Sequence, residues 1–590
     1  MKEKIAKITN YDFGNIEINE KYTDGVYVSC DGKNAVIGYS SKVQKARSLF
    51  LLSMKLKQGE QKFEICEKPV FDTCGPMIDM SRGGVMKADA VKRYIDRVAA
   101  LGLNMMMLYT EDVYEIEGYP MFGYLRGRYS SDELKDIDDY AFSMGVEIIP
   151  CIQTLGHLSN YIKWGEASAF AENSAVLLPD EEKTYQFIEA EIKAVRSCFR
   201  SDRIHLGMDE ANGLGLGKHY RKFGPEKPLD IFNRHLRKVL DIAKKYGYEP
   251  MIWGDMYFGS EDANDYYETD AVIPDYALES APKDTQMVFW DYYHDFYDYY
   301  DKKFRQFARF ENTTAYGGGV WTWDGFAPNF EYTLKTMEPA LRCATDNGIK
   351  TVIATMWANG GCETDFFKAF DSLAVFSEFC YKGAECTKED IYDAAGHIIN
   401  ADVDFSLAVS SFHLSHPGAD GVGKGLFYCD PLINLLCWDI EYDDTKKTYD
   451  KALETLENYK THPWYKYYKL LFEIVRIKAD VVLNLQKEYQ KGNIEYMKNL
   501  CENVLPGLIE YYREFYNEFS LGWQKNYKAF GFEVYAQRFG GIEYRLKYAI
   551  ERIEEYICGK SSSIEELEEK IQKGLNRTWK YANSYMNTVI

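Results

Sequence analysis

Short apolar runs alternate with segments of helical periodicity through the middle of the chain. Continuous apolar runs predict strands buried on both faces, whereas apolar residues spaced three and four apart predict helices. Eight strands alternating with helices predict a (β/α)8 barrel over residues 71–382, and an open doubly wound sheet is the alternative. The eight runs are Pro76–Met80, Asn104–Tyr109, Val146–Ile152, Arg203–Met208, Pro250–Trp253, Gln286–Trp290, Gly319–Trp323 and Thr351–Trp357.

Residues 1–70 predict a small α/β domain before the barrel. Two short strands predicted at Val26–Cys30 and Asn34–Tyr39 flank Asp31-Gly32, a turn sequence typical of a β-hairpin. A helix predicted at Ser41–Leu56 follows them. Within the barrel region, Ser130 followed by Glu133 has the sequence of a capping box and predicts the start of another helix.

Residues 383–590 have no strand-like runs and predict an all-helical C-terminal domain. Leu470, Ile474 and Val481 illustrate the helical spacing of apolar residues there. The role of this domain stays open among three interpretations: it covers one side of the barrel, supplies an edge of the active site, or forms an interface in a homodimer. The apolar stretch from Trp523 to Arg545 offers a surface for such an interface.

Composition narrows the choice of partner and compartment. The chain of 590 residues carries a formal charge of −21, which argues against a nucleic acid or an anionic membrane as partner. No run approaches the roughly 18 apolar residues of a membrane span, and the basic residues of Met1–Lys7 lack the apolar run of a secretory signal. The 13 cysteines include no C-x-x-C pair, so we expect reduced thiols and a cytoplasmic location.

Carboxylates and tryptophans recur together where the predicted strands end. In a barrel, catalytic groups lie at the carboxyl ends of the strands. An aromatic wall with polar edges suits a pyranose ring, because the apolar C–H faces pack on the rings and polar groups take the hydroxyls. Carbohydrate is therefore the leading ligand class. The strand ends carry Arg82, Glu111, His157, Asp209, Glu210, Trp253, Trp290, Tyr292, Tyr293, Trp321, Trp323, Asp324, Trp357 and Glu363.

The adjacent pair Asp209-Glu210 is the most informative of these sequences. Two-carboxylate glycosidases place their carboxyl groups about 5 Å or more apart, on either side of the scissile bond. Neighbouring residues flank an anomeric carbon poorly. A division of labour fits better, in which Glu210 handles the proton of the leaving group and Asp209 holds another group of the substrate.

The sequence from His205 to Glu210, His-Leu-Gly-Met-Asp-Glu, resembles the H-x-G-x-D-E signature of the family 20 β-N-acetylhexosaminidases. The resemblance extends from residue 1 to about residue 365, with Asp-x-x-Arg after the first strand, Gly-His after the third and tryptophans on the later strands. The helical C-terminal region is similar to that of an intracellular bacterial subgroup of exo-acting enzymes.

This resemblance implies a retaining, substrate-assisted reaction without a cofactor. The 2-acetamido oxygen of a terminal β-linked GlcNAc or GalNAc attacks C1 and forms an oxazolinium intermediate. Asp209 is implied to accept the acetamido N–H, while Glu210 protonates the glycosidic oxygen and then activates water. A carboxyl pKa raised towards the working pH suits Glu210 for this role.

The resemblance also implies roles for the other strand-end residues. Arg82 is expected to bind the O3 and O4 hydroxyls, with Glu111 or Asp112 as its acidic support; a purely structural salt bridge is the alternative. His157 is expected to hold the acid/base region, and His205 to be structural. Trp253, Trp290, Trp321 and Trp357 are expected to line the pocket.

Two departures from the family pattern leave substrate selectivity open. Trp321-Thr-Trp323 stands where many members have a Trp-Tyr dipeptide, whose tyrosine binds the acetamido carbonyl. Tyr293 or Tyr292 is the expected substitute, and strand alternation predicts that only one of them faces the pocket. Asn359 stands where the family has a carboxylate. We therefore expect Glu363 or Asp324 to make the contacts to O4 and O6 instead.

Two rival functions remain at this point. One is a barrel glycosidase that pairs Glu210 with a distant carboxylate, Glu363 or Glu111, on a sugar without an acetamido group. The other is a sugar-binding barrel without activity. The histidines have no H-x-x-x-H spacing, so no metal is expected.

Overall fold

A small sheet, a closed barrel and a group of helices follow one another along the chain. The computed structural model describes residues 1–14, 16–258, 265–414, 422–434 and 442–570. The closed barrel has the strand order β10-β11-β12-β5-β6-β7-β8-β9, which confirms the barrel and excludes the open sheet. The strands are β1 Glu17–Tyr22, β2 Val26–Cys30, β3 Asn34–Tyr39, β4 Phe63–Glu67, β5 Thr73–Asp79, β6 Met105–Tyr109, β7 Glu147–Cys151, β8 Arg203–His205, β9 Glu249–Trp253, β10 Gln286–Asp291, β11 Thr314–Gly319 and β12 Thr351–Met356.

The small sheet contains the predicted hairpin. Its strands lie in the order β1-β3-β2-β4, and β2 pairs with β3 in antiparallel fashion. The turn is held by Asp31, whose Oδ1 accepts hydrogen bonds from the main-chain N–H groups of Lys33 and Asn34. Gly32 takes a φ of +101°, a conformation that favours glycine.

Helices surround the barrel and continue beyond it. Ser130 and Glu133 form the predicted capping box at the start of α4. None of the described helices combines the length and the apolar character needed to cross a bilayer. The helices up to the end of the barrel are α1 Lys2–Thr9, α2 Lys42–Lys57, α3 Ala88–Ala100, α4 Ser131–Met144, α5 Ser159–Ile162, α6 Glu182–Arg196, α7 Lys218–Phe223, α8 Pro228–Lys245, α9 Asp275–Ser280, α10 Tyr297–Phe307, α11 Phe330–Asp346 and α12 Phe370–Lys382.

The seventh barrel strand differs from the prediction. The sequence predicts a strand at Gly319–Trp323, but β11 ends at Gly319. Three consecutive glycines, residues 317–319, interrupt the apolar pattern of this strand. Side chains have no room there: a Cβ on Gly317 would lie 3.2 Å from the Trp253 ring, and one on Gly319 would lie 2.7 Å from the Trp323 ring. The glycines thus let aromatic side chains pack against the strand.

The region after the barrel is helical, as predicted. A short π-helical turn, Leu500–Val504, joins two of its helices. The helices are α13 Lys388–Ile399, α14 Val403–Ser410, α15 Val422–Tyr428, α16 Tyr442–Leu456, α17 Tyr465–Gln490, α18 Ile494–Asn499, α19 Leu505–Asn526, α20 Phe532–Ile557 and α21 Glu565–Glu568.

Most of the apolar stretch Trp523–Arg545 packs inside the chain. Trp523 and Tyr535 are 3% and 0% exposed. The main-chain N–H of Lys528 donates to the carbonyl of Val85 at 2.8 Å, and its ammonium lies 2.8 Å from Glu133. The prediction that this stretch is a homodimer surface is therefore wrong for its buried side chains, because neighbouring helices and the barrel of the same chain cover them.

A buried ion pair joins the small sheet to the barrel. Arg47 on α2 contacts Glu67 of β4 at 2.6 Å and Glu378 of α12 at 3.0 Å. All three side chains are at least 95% buried. Arg47 and Glu67 lie before the domain boundary that we propose at residues 70/71, and Glu378 lies after it, so the ion pair crosses this boundary. The ion pair thereby attaches the N-terminal α/β domain to the barrel.

Replacing Arg47 with Met should destabilise the protein by about 3–5 kcal/mol, because two buried carboxylates lose their nearest cation and keep only Lys382, at 3.8 Å and 3.6 Å. Lys45→Met is the matched control on the same helix: Lys45 pairs with Glu20 at the surface, and its loss should change stability by less than about 1 kcal/mol. Urea unfolding followed by circular dichroism measures both. Equal effects of the two substitutions would contradict a structural role for the buried pair.

Candidate active site

A pocket opens at the carboxyl ends of the barrel strands. Ten of its lining residues are among those predicted from the sequence, and Tyr267 and Asn359 complete the lining. Parallel strands deliver all their carboxyl ends to one face of a barrel, which is why residues distant in sequence meet here. The ten predicted lining residues are Arg82, His157, Asp209, Glu210, Trp253, Trp290, Tyr292, Tyr293, Trp323 and Trp357.

An unusual turn after β8 carries Asp209 and Glu210. Met208 and Glu210 have φ values of +74° and +45°, in the left-handed region that non-glycine residues seldom adopt. A Cβ on Gly207 would lie 2.1 Å from Oε1 of Gln153, so the turn requires glycine there. The result is two neighbouring carboxyl groups in different surroundings: the Asp209 side chain is 12% exposed and that of Glu210 is 48% exposed.

Asp209 is held as an anion. Its Oδ1 accepts a hydrogen bond from Nε2 of Gln153 at 3.0 Å, and its Oδ2 lies 3.1 Å from Nε2 of His157. Burial by itself would raise the pKa of Asp209, but the charge of His157 and these hydrogen bonds outweigh it and lower the pKa to about 2. Burial likewise opposes the charge on His157, and Asp209 raises the pKa of His157 to about 9.

Glu210 is biased towards its protonated form. Burial and then the charge of Asp209 raise the pKa of Glu210 above its ordinary value. Its Oε2 is 3.6 Å from Nε2 of His157, farther than the Asp209 oxygen. The pair thus places a carboxylate with a lowered pKa beside a carboxyl group with a raised pKa, an arrangement suited to proton transfer next to a developing positive charge.

A third carboxyl group, Asp255, was not assigned a role from the sequence. Its Oδ2 accepts the main-chain N–H of Glu210 at 3.0 Å, and its Oδ1 accepts Nε1–H of Trp290 at 3.3 Å. Burial and the charge of Asp209 raise the pKa of Asp255 to about 7. Asp255 therefore fixes the main chain of Glu210 and one wall of the pocket. Its position two residues after Trp253, the end of a predicted strand, is the sequence feature that could have identified it as a site residue.

Arg82 lies in the pocket on a buried acidic support. Its guanidinium is 3.1 Å from Asp79 and 3.3 Å from Glu111. The ring of Trp357 lies 5.1 Å from its Cζ. Glu111 itself is buried behind Arg82 and does not line the pocket, and the other predicted support, Asp112, pairs with Arg126 instead. The structural salt bridge and the exposure of Arg82 to the pocket therefore coexist.

Aromatic rings form the remaining wall. Trp290 stacks on Tyr292 with ring centroids 5.2 Å apart, and Tyr292 meets Trp323 at 5.5 Å. Trp321 stands behind this wall rather than in it: its ring is 4.5 Å from that of Trp323, and its Nε1–H donates to the Tyr292 carbonyl at 3.0 Å. Trp321 supports the wall that Trp323 presents.

Both Tyr292 and Tyr293 line the pocket, contrary to the prediction that only one would. Alternation applies to extended strand residues, and β10 ends at Asp291. Beyond that point the chain turns, because Oδ1 of Asp291 accepts the main-chain N–H groups of Tyr293 and His294. The turn brings consecutive side chains to the same side.

Asp324 and Glu363 are buried outside the pocket lining. Asp324 lies 3.7 Å from Nδ1 of His413. Glu363 lies 2.7 Å from the ammonium of Lys424 and 2.9 Å from the guanidinium of Arg538. The carboxylate predicted to bind substrate is thus enclosed by two cations, because α15 and α20 reach the loop after the eighth strand.

The same arginine ties that loop at a second point. Nη2 of Arg538 donates to the Gly360 carbonyl at 2.7 Å, next to the pocket residue Asn359. Of the roles considered for the C-terminal domain, these contacts fit covering one side of the barrel, because no described C-terminal residue is among those that line the pocket.

The other histidine of the signature lies outside the lining. Nδ1 of His205 accepts the Gly207 N–H at 3.0 Å, and its ring packs 4.4 Å from that of Trp253. Burial lowers the pKa of His205 to about 3, so it is a neutral support of the turn. Among the described residues, no three His, Cys, Asp or Glu side chains are grouped as metal ligands.

Comparison with known proteins places these features in one family. Residues 71–357 match the model of the glycosyl hydrolase family 20 catalytic domain, and residues 414–579 match that of the glycoside hydrolase 20C C-terminal domain. Human hexosaminidase D is 24% identical over 369 residues, 58% of this chain and 71% of that protein. Bovine hexosaminidase D is 28% identical over 205 residues, 33% of this chain and 55% of that protein.

A solved structure shares the fold. The family 20 exo-β-N-acetylglucosaminidase of Vibrio harveyi, crystallised with N-acetylglucosamine, superposes with a TM-score of 0.51 at 17% identity. The match covers 69% of this chain and 72% of that one. At this identity the likeness concerns the architecture alone.

Replacing His157 with Gln should lower the free energy of unfolding by about 2 kcal/mol near pH 6, because Asp209 loses its cation. The pKa of His157, about 9, lies above its ordinary 6.5, so the stabilisation is complete below pH 6.5 and fades as the pH rises through 9. Thermal unfolding of both proteins from pH 5 to pH 10 measures the difference. A difference that stays constant over this range would mean that packing, rather than charge, is lost.

Proposed function

The chain belongs to glycoside hydrolase family 20, and from this premise we propose that it is an exo-β-N-acetylhexosaminidase. It removes terminal β-linked GlcNAc or GalNAc with retention of configuration. The observation that carries the proposal is the contrast within one pair: Asp209 is held ionised by His157 and Gln153, while the pKa of neighbouring Glu210 is raised. A substrate-assisted reaction needs both states at once.

In the first step the acetamido oxygen of the substrate attacks C1. The bond between C1 and the glycosidic oxygen breaks, and Glu210 transfers its proton to that oxygen. Positive charge spreads over the acetamido group as the oxazolinium ring forms. The Asp209 anion accepts the acetamido N–H and stabilises this charge, an effect that a buried, preoriented carboxylate exerts strongly.

In the second step water attacks C1 from the face that the leaving group vacated. Glu210, now a carboxylate, accepts a proton from this water, and the acetamido oxygen leaves C1. Two inversions at C1 give net retention. Burial and the charge of Asp209 raise the pKa of Glu210, which favours its role as the acid, and His157 prevents Asp209 from taking the proton instead.

The rest of the pocket supplies binding. The guanidinium of Arg82 presents a fixed set of donors that suits two neighbouring hydroxyls, and its salt bridges to Asp79 and Glu111 hold its direction. Trp253, Trp290, Trp323 and Trp357 offer ring faces to the pyranose and the acetamido methyl. Tyr292 or Tyr293 supplies the hydroxyl for the acetamido carbonyl.

We place this activity in the cytoplasm. All 12 cysteines in the described part of the chain are free thiols, and ten of them are buried. Unpaired cysteines in this number are typical of a reducing compartment.

The proposed function is tested with aryl β-glycosides of GlcNAc, GalNAc and glucose, together with a thiazoline analogue of the intermediate. We expect hydrolysis of one or both acetamido sugars, no hydrolysis of the glucoside, and competitive inhibition by the thiazoline. Hydrolysis of the glucoside without inhibition would favour the two-carboxylate glycosidase. Binding of the sugars without turnover would favour the sugar-binding barrel. Terminal GlcNAc and GalNAc oligosaccharides then establish selectivity.

Glu210→Gln should lower kcat/KM by about a thousandfold for a substrate with a poor leaving group, because the general acid is lost. A dinitrophenyl leaving group needs no proton, so its kcat/KM should fall far less. Glu189→Gln, a surface substitution at the partner of Lys245, is the control and should leave both values unchanged. An equal fall for the two substrates would show that Glu210 is not the acid.

A further inference from the structure

A second cavity, of about 690 Å³, lies where the N-terminal helix, the barrel and the C-terminal helices meet. Helix α1 supplies Lys4, α3 supplies Arg93 and Arg97, and the segment before α12 supplies Lys368. The ends of α17 and α19 close the cavity with Tyr467, Lys525 and their neighbours. None of its lining residues lines the sugar pocket.

Positive charge predominates in this cavity, although the chain as a whole carries −21. Six lysines and arginines line it against three carboxylates. The cations are Lys4, Lys7, Arg93, Arg97, Lys368 and Lys525, and the carboxylates are Asp96, Asp365 and Glu518.

The three carboxylates already have partners. Asp96 lies 2.8 Å from the ammonium of Lys4, and Glu518 lies 2.7 Å from Lys466. Asp365 accepts hydrogen bonds from the Asn526 amide at 2.8 Å and from the Tyr527 hydroxyl at 3.1 Å. The cavity keeps an excess of positive charge, although Asp365 and Glu518 both act on Lys368 through their charge.

Lys368 is the most buried of these cations. The residue is 7% exposed, and within the described part of the chain no carboxylate oxygen lies within 4.0 Å of its ammonium. The ammonium lies 3.5 Å from the ring centroid of Tyr467, a cation–π contact worth about 2 kcal/mol when desolvated. Burial lowers the pKa of Lys368 to about 8, although the charges of Asp365 and Glu518 oppose this shift; the charge of Lys525 adds a smaller lowering.

Arg97 is a second cation of the cavity whose charged form is disfavoured by burial. Its Cζ lies 5.5 Å from the ring centroids of both Phe367 and Phe370. Burial, and then the neighbouring charge of Arg93, lower the pKa of Arg97, although Asp96 opposes them. The cavity therefore combines two destabilised cations with aromatic walls, which a ligand carrying both an anion and an apolar part would satisfy.

We propose that this cavity binds a small phosphorylated molecule, whose phosphate lies against Lys368, Lys525 and Arg97 and whose remaining part packs on Phe367, Phe370 and Trp464. A phosphate fits better than a single carboxylate because its charge at neutral pH, about −1.5 to −2, matches several cations. The site is independent of the sugar pocket, and the proposal does not rest on the proposed function.

Inorganic phosphate is the probe, and the full chain is used. Lys368 in the native protein is treated with an amine-reactive reagent at pH 8, with and without phosphate, and its modification is measured by mass spectrometry. We expect phosphate to slow the modification of Lys368 at least threefold at millimolar concentration, and to leave Lys283 unchanged. Lys283 pairs with Glu311 at the surface outside the cavity. A parallel measurement with malonate in place of phosphate shows whether a dicarboxylate protects Lys368.

Calorimetry then compares the native chain with Lys368→Met, which keeps the length of the side chain, and with Lys283→Met as the control. Phosphate affinity should fall at least about tenfold for Lys368→Met and stay unchanged for Lys283→Met. The proposal is overturned if phosphate neither protects Lys368 nor binds, if Lys368→Met binds phosphate as the native chain does, or if malonate protects and phosphate does not. Should Lys368→Met fail to fold, the protection measurement on the native chain decides alone.

Discussion

Two neighbouring carboxyl groups have pKa values shifted in opposite directions, and the surrounding residues maintain this difference. Adjacent residues repel one another when both are ionised, so the separation needs an external cation for one of them. His157 supplies it, at 3.1 Å from Asp209 and 3.6 Å from Glu210. The left-handed turn at Met208 and Glu210 aims the two side chains differently, and Gly207 makes that turn sterically possible. The different pKa shifts of Asp209 and Glu210 therefore depend on the backbone conformation of this turn.

The barrel and most of the pocket were predictable from the sequence because both depend on local patterns. Apolar runs mark buried strands wherever they occur, and the carboxyl end of each run marks a position on one face of the barrel. Ten pocket residues follow from reading those ends. Asp209-Glu210 stood out through its chemistry alone, since adjacent carboxylates suit few reactions at an anomeric carbon.

The features that escaped prediction depend on contacts between distant parts of the chain. β11 was misplaced because its glycines make room for rings from other strands, a reason that lies outside the strand itself. Asp255 acts through the main chain of Glu210, 45 residues away. Glu363 was assigned to substrate because the cations that enclose it belong to α15 and α20, and neither helix has a pattern that points to the barrel.

The contact between Arg538 and Glu363 has a consequence for how the protein is made. All eight barrel strands have been synthesised once residue 356 is complete, yet the arginine that holds the last strand's loop comes 175 residues after Glu363. All residues that line the pocket are therefore synthesised before the arginine that holds the loop beside Asn359. Until α20 is made and packs on the barrel, the loop after the eighth strand lacks the arginine that binds both Glu363 and the Gly360 carbonyl.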